Sequence, residues 1–201
     1  MTNTYQTREA WLCAAADMLA PMFADAGAPL PDKIRYSVGF MGGRSSAKLK
    51  AIGQCWDASA SADGTTEIFI HPSICEPVQV LSILAHELVH AAVGVQAGHK
   101  GPFKRVALAI GLEGKMESTN AGSELAETLT EIADLLGPLP HAKLDGSHSG
   151  PKKQAARMIK ATCECGYLVR LTRKWLDEVG PPHCPLHGQM SVEGGDTDDG
   201  E

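Results

Sequence analysis

No apolar run in this chain of 201 residues approaches the roughly 18 needed to cross a membrane. The longest candidate, from Val78 to Val95, is interrupted by His86, Glu87 and His90. The opening residues, Met1 to Arg8, lack a basic patch followed by an apolar core, so no secretory signal is read there and a cytoplasmic location is expected. Internal repeats are absent. Basic residues are missing from one end altogether: residues 176–201 carry seven acidic groups and none of the opposite sign. Histidine is scarce, at eight residues, which makes its distribution informative.

Six cysteines could form a disulfide set in a small secreted chain. In a longer chain with no secretory signal, metal binding or plain burial is the better expectation. Cys13, Cys55 and Cys75 stand singly among apolar residues and are expected to be buried thiols. Cys163 and Cys165, two residues apart, and Cys184, beside His183, belong to a different class. Residues 143–175 hold eight basic groups against Asp145 and Glu164, so a basic segment precedes the acidic end.

Periodicity organises the rest. Trp11, Leu12, Ala15, Leu19, Met22 and Phe23 recur at helical spacing, predicting a helix over 5–26 that Pro21 should kink or split. Ile34, Tyr36, Val38 and Phe40 alternate as in a strand; 49–56 and 66–71 are two more, and the short loops suggest an antiparallel meander. Pro77 should open a buried helix reaching about Gly94. Helices are also expected after Gly101-Pro102 and over 123–136. The fold class is therefore α+β. The expected domain is 1–137, followed by a Gly/Pro/Ser-rich linker at 138–156, a small Cys/His module at 157–190 and an acidic tail at 191–201.

On the buried helix, His86 and His90 are four residues apart and so share a face. Two imidazoles at that spacing can grip one metal ion, and the intervening Glu87 can serve as general base without taking a coordination position. Zinc lowers the pKa of its bound water toward about 7 and polarises a carbonyl. A catalytic zinc usually takes three protein ligands, so one more is required. His99 is the leading candidate, because Gly94 and Gly98 let the chain bend back after the helix. Glu113, Glu117, Glu124 and Glu127 are the rivals. Burying three histidines and a glutamate together without a metal would be costly.

The order Gly53-Gln54-Cys55-Trp56, Glu67-Ile68-Phe69-Ile70-His71-Pro72, His86-Glu87-Leu88-Val89-His90 and Gly98-His99-Lys100-Gly101-Pro102-Phe103 resembles the SprT-like metallopeptidases, which include the Spartan proteases. The resemblance covers about residues 30–112. It implies a zincin-like metalloprotease core with His86, His90 and His99 as zinc ligands and Glu87 as catalytic glutamate. One departure is Lys100-Gly101, where the family's Gly-His-Gly-x-x-Phe signature has glycine alone.

Many SprT-like chains end in a zinc ribbon. Here Cys163, Cys165, Cys184 and His187 could make the four ligands of a second, structural zinc, with His183 as a spare donor. So short a segment has too few apolar residues to fold unaided.

The family implies a protease acting on protein substrates bound or crosslinked to DNA. Lys152, Lys153, Arg157, Lys160, Arg170, Arg173 and Lys174, with Tyr167 and Trp175 nearby, could engage phosphates and unpaired bases. The sequence pI of about 5.7 argues against strong nonspecific DNA binding by the whole chain. Two other functions stay open: a nucleic-acid- or transcription-associated adaptor whose zinc is mainly structural, and a peptidase with no nucleic-acid role. Glu87 discriminates the first of these, since a purely structural site does not need it.

Overall fold

In the computed structural model of the chain, the described residues are 4–39, 51–145 and 158–192. The chain forms two compact units, 1–145 and 146–201.

The larger unit begins with helix α1 (Arg8–Asp25), whose first turn is capped by Thr7 Oγ1 accepting from the Ala10 amide at 3.1 Å. Trp11, Leu12, Ala15, Ala16, Leu19 and Phe23 form its buried face. Pro21 does not split the helix, which runs through it from Arg8 to Asp25. The proline and Asp17, whose carbonyl loses its helical donor, are both exposed. Water can therefore serve that carbonyl, while Leu19 and Phe23 anchor the helix on either side.

Strands β1 (Ile34–Val38), β2 (Gly53–Trp56) and β3 (Thr66–Ile70) make one sheet in the order β1-β3-β2. The expected antiparallel meander is only half right. β2 pairs antiparallel with β3, but β1 pairs parallel with β3, from Ile34↔Thr66 to Val38↔Ile70. Parallel pairing needs a long connection, and here residues 39–65, including β2 itself, form it.

Helix α2 (Pro77–Val93) follows. Glu76 caps it, its carboxylate accepting from the amides of Val78 and Gln79 at 3.1 and 2.6 Å. Pro77 supplies the preset first turn. Gly94, with φ of 85°, ends it. A short 3-10 turn (Val95–Ala97) leads to Gly98, also at positive φ, and then to α3 (Gly101–Ala109). A hairpin that the sequence did not announce comes next, β4 (Leu112–Lys115) with β5 (Ser118–Ala121). Helix α4 (Ser123–Leu136) closes the core with Leu125, Leu129, Ile132 and Leu136.

α2 is the central element, packed against α1, α3, α4, β2 and β3. Its Leu81, Leu84, Ala85, Leu88 and Val89 are fully enclosed. Residues 138–145, expected as linker, belong to this unit: His141 Nε2 and the Leu144 amide both donate to the Pro72 carbonyl, at 2.8 and 2.9 Å. The rest of that linker, 146–156, and the acidic tail after Val192 lie outside the described residues. The solitary cysteines are less buried than expected, Cys13 being exposed and Cys55 and Cys75 half-buried. Cys13 sits on the outer side of α1, where the helix needs no apolar contact. Among the described residues no helix is long and apolar enough to cross a membrane.

The smaller unit has a sheet of β6 (Ile159–Thr162), β7 (Leu168–Leu171) and β10 (Ser191–Val192) in the order β10-β6-β7. A short helix α5 (Arg173–Val179) and a small hairpin, β8 (His183–Cys184) with β9 (Gly188–Gln189), lie between.

Candidate metal centres

The helical spacing brings His86 and His90 to one face of α2, and the turn through Gly98 returns His99 to the same point. His99 Nε2 lies 3.1 Å from His90 Nε2 and 3.3 Å from His86 Nε2. Tetrahedral zinc with nitrogen ligands at its usual distance would separate those nitrogens by about 3.3 Å. The donor set therefore fits zinc in type and spacing. Phe103, fully buried on α3, floors the cluster with its ring centroid 4.4 to 5.0 Å from all three imidazoles.

The outer ring nitrogen of His86 has a partner: His86 Nδ1 lies 2.8 Å from Thr119 Oγ1. His90 Nδ1 is buried without a hydrogen-bond partner among the described residues. Burial pushes both His86 and His90 down to about 4, with the neighbouring histidines adding to the effect. At neutral pH they are uncharged, the form that binds a metal.

Glu87 is 6% exposed, and burial pushes its carboxyl up to about 8. Its placement depends on a glycine in β2. A Cβ at Gly53 would meet Glu87 Oε1 at 2.5 Å and Ile83 Cγ2 at 2.6 Å. The strand backbone thus passes directly over the carboxylate, which only glycine permits at this separation. Cys55, two residues on, is held as a neutral thiol by burial, pushed up to about 12, and is not among the clustered ligands.

These groups open on a cleft of about 800 Å³. One wall is residues 51–56, mainly β2; the other is the hairpin tip at Glu117, Ser118 and Thr119. Of the rival third ligands, Glu117 lines the cleft but stands apart from the histidine nitrogens, and Glu113 turns instead toward Gly122. Glu124 and Glu127 are exposed on α4 and outside the cluster. Sequence reasoning missed Thr119 and the role of Gly53: neither stands in a ligand-spacing motif, and both act across non-local contacts.

A second cluster lies in the smaller unit. The turn between β6 and β7 carries Cys163 and Cys165, shaped by Gly166 at φ of 85°. The β8–β9 hairpin carries Cys184 and His187. Cys165 Sγ lies 3.7 Å from Cys184 Sγ, and His187 Nδ1 lies 3.5 Å from Cys163 Sγ and 3.7 Å from Cys184 Sγ. Tetrahedral zinc would set sulfur pairs about 3.8 Å and sulfur–nitrogen pairs about 3.6 Å apart. Amide hydrogen bonding from Leu186, and then the His187 contacts, hold the Cys184 thiol down to about 6, favouring the thiolate that ligates metals. His183 is exposed and not part of the cluster.

The basic residues divide. Lys160 and Arg170 face one another across β6 and β7. Arg173 and Lys174 open α5, where Lys174 Nζ lies over the exposed Trp175 ring and 3.9 Å from Glu178. Lys152, Lys153 and Arg157 lie outside the described residues.

No protein-family model, curated protein or solved structure gives a significant match to this chain, so the two clusters stand on their geometry alone.

Proposed function

We propose that this chain is a zinc-dependent endopeptidase of the SprT-like kind, with a zincin-like core and a zinc-ribbon module. The observation that carries the reading is the convergence of three imidazole nitrogens at 3.1 and 3.3 Å beside a buried glutamate in an open cleft.

Zinc held by His86, His90 and His99 would polarise the scissile carbonyl and acidify a water. The chain's own residues supply the rest. Glu87 takes a proton from the attacking water and passes it to the departing amide nitrogen, so one proton moves and one C–N bond breaks. A carboxyl raised toward neutrality is suited to both halves of that transfer.

The cleft wall also suits a peptide. Among the described residues β2 is an outer strand of its sheet. The Ile52 carbonyl accepts from the His71 amide at 2.9 Å, so the alternation of an antiparallel ladder turns the backbone groups of Gly53 and Cys55 toward the free edge. An extended substrate can add to that edge as a further strand.

The smaller unit is the proposed zinc ribbon and a candidate nucleic-acid contact. Lys160 and Arg170 stand opposite one another on the β6–β7 ladder and together present two cations to a polyanion. Exposed Tyr167 and Trp175 offer stacking surfaces.

The test is zinc content and cleavage of an unfolded protein substrate, with and without single-stranded DNA, for wild type and Glu87→Gln. Two zincs per chain, with cleavage lost in Glu87→Gln at unchanged zinc content, supports the reading. Two zincs with no cleavage under either condition moves the zinc-binding adaptor ahead.

A further inference from the structure

We propose that Thr119, on the unannounced β4–β5 hairpin, is a positioning residue that sets the tautomer and aim of His86. The proposal rests on the reading of His86, His90 and His99 as a ligand set.

The hairpin is splinted to α2 at two points. The Ala121 amide donates to Ser82 Oγ at 3.1 Å, and Thr119 Oγ1 bonds His86 Nδ1 at 2.8 Å. Ser82 and His86 are four residues apart on the helix, a rise of about 6 Å. Ala121 and Thr119 are two apart on the strand, about 6.6 Å. The two spacings nearly coincide, so β5 can run antiparallel along the ligand-bearing face of α2 and meet it with a side-chain bond at each step. Ser82 anchors the strand; Thr119 acts on the ring.

The chemistry of that second bond is specific. Nε2 of His86 can present its lone pair inward only if the ring proton is on Nδ1. A hydroxyl oxygen facing Nδ1 accepts that proton and stabilises this tautomer. His90 has no such acceptor among the described residues. The cluster is thus asymmetric, and His86 is the imidazole whose orientation is secured from outside. Because Thr119 also lines the cleft, the residue that aims a ligand stands on the substrate-facing wall.

The experiment uses the full chain in wild-type, Thr119→Val and Thr119→Ser forms. Long-range nitrogen–proton NMR of the metal-free proteins at pH 7.5 reads the His86 tautomer. Zinc affinity of the three-histidine site is read by competition with a chelator. Wild type and Thr119→Ser should show His86 protonated at Nδ1, and Thr119→Val a mixture of tautomers. Zinc affinity should fall about 10- to 100-fold in Thr119→Val, with the metal-free unfolding transition unchanged, and Thr119→Ser should restore it. Should Thr119→Val not fold, the wild-type spectrum still decides: His86 protonated at Nε2 overturns the proposal. Equal tautomer and equal affinity in wild type and Thr119→Val also overturn it. A wild type that takes up no metal at these histidines removes the ligand-set reading itself, an outcome separate from a metal-binding wild type indifferent to position 119.

Discussion

The two candidate metal centres have similar donor spacing but opposite support. The three-histidine cluster is set on a unit whose core has 25 buried apolar side chains among the described residues. Beneath the Cys163/Cys165/Cys184/His187 cluster the packed core has three among the described residues, Ala161, Cys184 and Met190, and one of those is itself a ligand candidate. Where packing already holds the ligands, a metal is free to do chemistry and keep an open position. Where packing is this thin, the metal must supply the folding energy. Exposure of the ligands follows the same division: none of the three histidines is exposed, whereas Cys165 and His187 are.

The largest effect should come from chelation. Removing metal is expected to unfold the smaller unit while the larger keeps its helices, read by amide exchange resolved along the chain. Loss of protection in both units together would erase the contrast. Cys184→Ala should reproduce the effect in the smaller unit alone.

Glu87→Gln should lower peptidase activity about 10²- to 10⁴-fold with zinc content and folding intact, checked by elemental analysis and steady-state kinetics. A comparable loss of zinc would show that Glu87 holds the site together rather than moving a proton.

Gly53→Ala tests how tightly β2 presses on the carboxylate. The added methyl meets Glu87 Oε1 and Ile83 at 2.5 and 2.6 Å, so the strand or the glutamate must move. A destabilisation of about 1–3 kcal/mol is expected, measured by denaturant unfolding, with activity falling further than stability alone explains.

The metal-free larger unit should also carry a pH signature. Glu87 is raised from 4.5 to about 8, so between those values the folded state holds a proton that the unfolded chain has released. Stability from this group therefore falls as pH rises through that window. His86 and His90, lowered from 6.5 to about 4, act oppositely, and their contribution rises with pH over the lower range. Above pH 7 only the glutamate effect remains. Metal-free Glu87→Gln should be more stable than wild type at pH 9 by about 1–3 kcal/mol, and the gap should narrow toward pH 5. A constant gap would show that the carboxyl is not the titrating group.

The smallest effect concerns the surface of the smaller unit. Replacing Arg170 by Ala should reduce the salt dependence of single-stranded DNA binding by a slope of about 0.7 without altering cleavage of a free peptide. No change in the slope would detach the Lys160–Arg170 pair from nucleic acid.

Much of the larger site was legible in the chain because its determinants are local. Four-residue spacing put His86 and His90 on one face, Pro77 and Gly94 marked the ends of α2, and Gly98 allowed the return of His99. The cysteine and histidine spacings marked the second cluster in the same way. The misreadings that bear on the site's surroundings were non-local. Parallel pairing of β1 with β3 depends on partners far apart in the chain. The β4–β5 hairpin has no apolar alternation to reveal it, since its residues Glu113 to Asn120 are mostly exposed.

By itself, then, the sequence determined the helix that carries the site, the identity of the clustered donors and the glutamate between them, because periodicity and spacing are properties of neighbouring residues. Only the tertiary structure decided that β2 passes over Glu87 at Gly53, that Phe103 floors the imidazoles, and that Thr119 faces His86. Those contacts join segments whose meeting is governed by packing of the whole core, and no local pattern encodes it.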